Sequence, residues 1–102
     1  MTADRIEVSH KELDEFCRRN SIRRLALFGS VLTERFSDSS DVDVLVEFEP
    51  GARVGYIRVA GMERELSRLF GGRKVDLRTP GELSPYFRDE VVRTAAVQYA
   101  AK

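Results

Sequence analysis

The chain has 102 residues, 42% of them hydrophobic and 33% charged, and seventeen basic side chains balance seventeen acidic ones. A chain of this size reads as one domain over 1–102, long enough to bury a core without disulfides and too short for a second module. Its longest run without a charge, Leu25 to Thr33, has nine residues, against the roughly twenty apolar residues that a bilayer crossing needs. A membrane-spanning helix is thereby excluded.

The opening MTADRIEVSH carries early acidic residues and no apolar run, unlike a secretory signal. A lone cysteine allows no internal disulfide, and a cytoplasmic location is expected. Residues 1–51 hold seven basic and eleven acidic side chains and residues 52–102 ten and six, so the halves carry −4 and +4. That balance excludes a uniformly basic domain held to nucleic acid by phosphate contacts; no direct nucleic-acid binding is expected, although a local basic patch stays open.

In chain order, Ser9 with Glu12 three residues on is a capping-box pattern, and Leu13, Phe16 and Cys17 share a helical face, which predicts a helix over 10–19. Arg23 to Phe28 predicts a short strand with a buried centre, because Leu25-Ala26-Leu27-Phe28 is too short an apolar run for a helix. Gly29-Ser30 turns the chain, a short helix is expected over 31–36, and Ser37 to Ser40 reads as a loop. The alternating, Val-rich run Asp41 to Phe48 predicts a second strand. Pro50-Gly51 stops it. Val59, Met62, Leu66 and Leu69 then recur at spacings of three and four within a helix over 55–70. Gly71-Gly72 ends that helix, Lys74 to Thr79 predicts a third strand, and Pro80-Gly81 a turn. Ser84-Pro85 reads as the start of a final helix running to about Ala100, burying Val91, Ala95 and Tyr99. The expected class is α/β (α+β): one short mixed sheet of at least three strands packed against three or four helices.

The anomaly is Asp41-Val42-Asp43 at the head of an otherwise apolar strand, since strands disfavour Asp. A side-chain period of two puts both carboxylates on one face, about 7 Å apart, where they repel unless a positive charge lies between them. A divalent cation is the simplest such charge, and carboxylate oxygens suit Mg²⁺ or Mn²⁺. Asp76, in the run Lys74-Val75-Asp76-Leu77, is a candidate third ligand if its strand lies beside the second. Gly29-Ser30, between a strand and a helical turn, is a candidate phosphate-binding corner. Each piece also has an ordinary reading: a plain turn for Gly29-Ser30, a loop or strand-entry residue for Asp41, and an ion pair with Arg73, Lys74 or Arg78 for Asp76.

Taken together, Phe28-Gly29-Ser30, ten intervening residues, Asp41-Val42-Asp43 and Val44-Leu45-Val46 resemble the signature of the DNA polymerase β-type nucleotidyltransferases. With the short length, Val75-Asp76-Leu77-Arg78-Thr79 and an ending near Tyr99, the chain is similar to the MNT-type minimal nucleotidyltransferases, typically the antitoxin half of HEPN/MNT toxin–antitoxin pairs. The resemblance covers about residues 22–100. It implies a small polymerase β-like fold in which Asp41, Asp43 and Asp76 are the catalytic, metal-binding carboxylates, Asp76 helping to deprotonate the attacking hydroxyl, while Gly29 and Ser30 hold the triphosphate. It further implies two Mg²⁺ ions (or Mn²⁺), ATP as substrate, and a HEPN-domain toxin partner that is adenylylated, on a tyrosine in family members. Many members continue the Gly-Ser with x-Ala-Arg-Gly; here Leu32, Thr33 and Glu34 stand at the last three places, and Arg35 is the candidate substitute for the missing Arg.

The only histidine, His10, falls in the first turn of the first helix and reads as exposed. Cys17 reads as packing rather than a nucleophile, with no His close in sequence. Tyr86 and Phe87 read as core or partner surface, and Arg58, Arg64 and Arg68 as a solvated face paired with Glu63 and Glu65, or else as a basic surface that meets a partner. Two competing functions remain: a binding-only antitoxin that masks its toxin without catalysis, and transfer of a nucleotide to a small molecule, which the lack of an added acceptor-binding domain disfavours.

Overall fold

A computed structural model of the chain describes residues 8–33, 37 and 40–101. The first helix forms as expected, α1 (His10–Arg19). The Ser9 hydroxyl accepts the Glu12 N–H at 3.3 Å, satisfying one of the donors that a helix start leaves open. Leu13, Phe16 and Cys17 are its buried residues. Burial pushes the Cys17 thiol up to about 12, helped by the charge of Asp14 and opposed by Arg18, so it is an inert packing group. His10 is exposed.

The strands are β1 (Ile22–Phe28), β2 (Val42–Phe48), β3 (Val75–Arg78) and β4 (Ala96–Ala100), in the spatial order β3-β2-β1-β4. β1 and β2 are antiparallel, β2 and β3 parallel, and β4 runs antiparallel to β1. A parallel pair needs a long crossover, and α2 (Tyr56–Leu69) supplies it. Val42, Val44 and Val46 are fully buried in the main core with Leu13, Phe16, Leu25, Leu27, Met62 and Leu66. Val59 and Leu69 pack at its margin. Ala26 and Leu45, paired across β1 and β2, are also buried, so the alternation along β2 is less strict than its residue pattern.

Four expectations are corrected. The final helix is not continuous: α3 (Arg88–Thr94) has seven residues, Ala95 turns extended, and Ala96–Ala100 is a strand. The alanines there favour a helix locally, but β1 is buried through its centre and its backbone groups need partners on both sides. β4 supplies the second side. Ser84-Pro85 opens a turn instead of that helix, with the Ser84 carbonyl accepting from Phe87 and Arg88. The short helix expected over 31–36 is a 3-10 turn that starts earlier, at Gly29–Leu32, while residues 34–36, Arg35 among them, lie outside the described residues. Finally, Glu63 and Glu65 do not pair with the arginines of α2: Glu65 meets Arg19 at 2.6 Å, and Glu63 accepts the backbone N–H of Leu77 at 2.8 Å. Tyr86 is 98% and Phe87 49% exposed, which removes both from the core. No helix among the described residues is long and apolar enough to cross a membrane.

Candidate active site

The Gly29-Ser30 corner follows directly from the end of β1, where Phe28 pairs with Asp43 of β2. Gly29 has φ of +74°, a region that costs an L side chain. The corner also needs the missing side chain for space, since a Cβ at Gly29 would collide with the Asp43 carboxylate. The backbone of Ser30 lies on the same side and favours the charged form of that carboxylate. Backbone amide and strand carboxylate therefore meet at one point.

β3 extends the site. Its parallel register sets Asp76 beside Asp43, on strands separated by about 4.8 Å. The register is anchored upstream, where Val42 N–H donates to the Lys74 carbonyl at 2.8 Å. Asp41 stands exposed immediately before β2. Burial raises the Asp43 carboxyl above its ordinary value, and the charges of Asp76 and then Asp41 add to the rise; the Ser30 backbone and Arg78 oppose it. The three carboxylates thus lie close enough to repel, the condition in which a bound cation is stabilising.

Arg78 is the residue that reading the sequence valued too little. Two places after Asp76, and so on the same face of β3, it donates to Asp76 at 3.2 Å. This is one of the ordinary ion pairs weighed for Asp76. The hydrogen bond and charge of Asp76 raise the Arg78 pKa further, so the guanidinium stays charged. As the side chains stand, no three His, Cys, Asp or Glu groups among the described residues close on one ion. The donor set nevertheless fits a hard divalent cation: oxygen ligands only, with neighbouring negative charges that raise the Asp43 carboxyl. Of the expected site residues, the structure brings Gly29, Ser30, Asp43 and Asp76 together, with Asp41 at the rim.

A family model described as "Nucleotidyltransferase domain" matches residues 10–97. A Methanocaldococcus jannaschii protein named "Putative protein adenylyltransferase" is 27% identical over 77 residues, spanning 76% of this chain and 80% of that protein. Among solved structures, "Structure of putative minimal nucleotidyltransferase" is 31% identical, covers 84% of this chain and 85% of its own, and has a TM-score of 0.67. "Crystal structure of the toxin-antitoxin with AMP-PNP" superposes with a TM-score of 0.70 over 93% of this chain and 76% of that one, at 18% identity, a likeness of fold. With the family model matching most of the length and the glycine corner, strand carboxylates and mixed sheet in place, this chain belongs to the nucleotidyltransferase domain family.

Proposed function

We propose that this nucleotidyltransferase moves AMP from ATP to a hydroxyl of a partner toxin protein, a tyrosine of a HEPN-domain toxin, and neutralises it as an antitoxin. The observation that carries the reading is the meeting of the Gly29-Ser30 corner with Asp43 and of Asp43 with Asp76. The name of the Methanocaldococcus jannaschii relative supports a protein acceptor, and the AMP-PNP toxin–antitoxin neighbour supports a nucleotide and a toxin partner.

In this reading Asp41, Asp43 and Asp76 would hold Mg²⁺ (or Mn²⁺). When bound, such ions activate an attacking oxygen and neutralise phosphate charge. The chain's own groups do the rest. Gly29 lets the backbone approach the triphosphate without a side chain in the way, and Ser30 offers a hydroxyl to a phosphate oxygen. Asp76 receives the proton of the acceptor hydroxyl as its oxygen bonds to the α-phosphorus and pyrophosphate leaves. Arg78, already beside Asp76, is placed to meet departing negative charge.

Incubation with α-phosphate-labelled ATP, Mg²⁺ and the protein encoded beside it tests the reading. Label is expected on the partner and is expected to vanish with the double Asp41→Asn, Asp43→Asn variant. The Asp76–Arg78 pair, in which one of the three carboxylates already has a cationic partner, favours a second reading, a masking antitoxin whose pocket is degenerate or only senses nucleotide. Neutralisation that survives in the double variant, without label on the partner for either protein, would decide for it.

A further inference from the structure

Asp76 lies on a weakly held strand. β3 has four residues and pairs on one side only, with β2. Across that pairing the charges of Asp43 and Asp76 repel, which is part of what raises the Asp43 carboxyl. Arg78 holds Asp76 at 3.2 Å, but it belongs to the same strand and moves with it, so it does not fix β3 against β2. Glu63 does so from α2. In a parallel pair the main-chain groups of alternate residues turn toward the partner strand. The Lys74 carbonyl accepts from Val42 of β2, so Asp76, two residues on, also turns toward β2, and the N–H of Leu77 points outward from the edge. There the half-buried Glu63 carboxylate accepts it at 2.8 Å. The peptide that joins Asp76 to Leu77 is thus held on both sides, by β2 at its carbonyl and by Glu63 at its N–H. Glu63 is itself fixed in place, because Met62 beside it and Leu66 three residues on are buried in the core. A hydrogen bond to a carboxylate is charge-assisted and stronger than one to a neutral acceptor, which suits a strand under repulsion.

On the reading above, in which Asp76 acts in the transfer, we propose that Glu63 is a positioning residue for it. Through the Leu77 N–H it sets the separation of Asp76 from Asp43, and so the rate of the transfer step and the grip on the metal rather than the affinity for ATP. Glu63 meets the strand and no reacting atom. What it contributes is an acceptor at the right reach, so an amide oxygen in the same place should serve, whereas a carboxylate drawn back by one methylene should not.

Two measurements test this at a temperature where circular dichroism shows each variant folded: steady-state transfer from labelled ATP to the protein encoded beside this chain, and Mn²⁺ binding to the nucleotide-free protein followed by electron paramagnetic resonance. Glu63→Ala should lower kcat by roughly ten- to a hundredfold with KM for ATP unchanged, and weaken Mn²⁺ binding by about tenfold, the range for a group that orients a metal-binding side chain. Glu63→Gln should recover most of both, because its amide oxygen still accepts the Leu77 N–H. Glu63→Asp keeps the charge but not the reach and should resemble the alanine variant; it carries the test if that variant does not fold. A purely structural Glu63 would show neither loss once the variants are folded. Wild-type protein that binds Mn²⁺ but labels no partner would sink the acceptor reading alone, and the Mn²⁺ affinities would then judge Glu63. Wild-type kcat and Mn²⁺ affinity in Glu63→Ala, a loss confined to KM, or a glutamine variant as impaired as the alanine one overturns the proposal.

Discussion

The two edges of the sheet differ in what they carry and in how they end. β3 bears Asp76, and its spare donor is tied off where Glu63 of α2 accepts the Leu77 N–H. β4 bears no charge, and among the described residues no side chain from a helix caps it. The difference follows from what each strand does. A carboxylate useful in chemistry must be held in register within a fraction of an ångström, so the β3 edge is braced by the crossover helix. β4 completes the pairing of buried β1, which requires only its inner side.

The largest effect is expected on the braced side. Asp43→Asn should lower nucleotidyl transfer by roughly a thousandfold or more, yet raise the melting temperature of the metal-free protein. Burial and the charges of Asp76 and Asp41 disfavour ionised Asp43 in the fold, and Asn removes that charge at nearly the same size. Calorimetry in chelator beside the labelled-ATP assay checks both halves. A variant that lost stability as well as activity would make Asp43 a structural residue.

Gly29→Ala comes next. It places a side chain at positive φ and against the Asp43 carboxylate, costing about 1–2 kcal/mol for the backbone alone, which is roughly 4–16 °C in melting temperature for a domain of this length. Gly81→Ala is the control, with no atom within 4 Å of its added Cβ, and should change little. Glu63→Ala should cost about 1–3 kcal/mol by leaving the Leu77 N–H without its acceptor. Hydrogen exchange should then quicken at Leu77 and its β3 neighbours while β4 is unaffected. Equal protection of both edges in the wild type would erase the distinction between them.

The smallest effect is that of pH on the metal-free protein. Asp43 has a folded pKa above its unfolded value near 3.8, so the folded state binds more protons between the two. Its contribution is therefore full below the unfolded value and is lost as the pH rises through the folded one. Urea titrations in chelator across the carboxylate range should show this loss. Saturating Mg²⁺ should offset it, because binding to the folded state adds stability.

Several features were legible in the residues because their causes are local. Ser9 and the spacing of Leu13, Phe16 and Cys17 define α1, and the three- and four-residue recurrence from Val59 to Leu69 defines α2. The glycine corner and Asp41-Val42-Asp43 marked the site because each breaks a local preference. Arg78 was visible only as an ordinary pairing option, since its place beside the carboxylates depends on β3 lying next to β2.

What the chain determined alone was the set of helix faces, turns and oddly placed carboxylates, because capping, periodicity and strand preference act within a few residues. The tertiary structure decided whether Asp76 reaches Asp43, which rests on parallel pairing across the α2 crossover. It also decided the fate of residues 96–100. Their alanines favour a helix, but the unpaired backbone of buried β1 outweighs a propensity of a few tenths of a kcal/mol per residue and draws them into a strand.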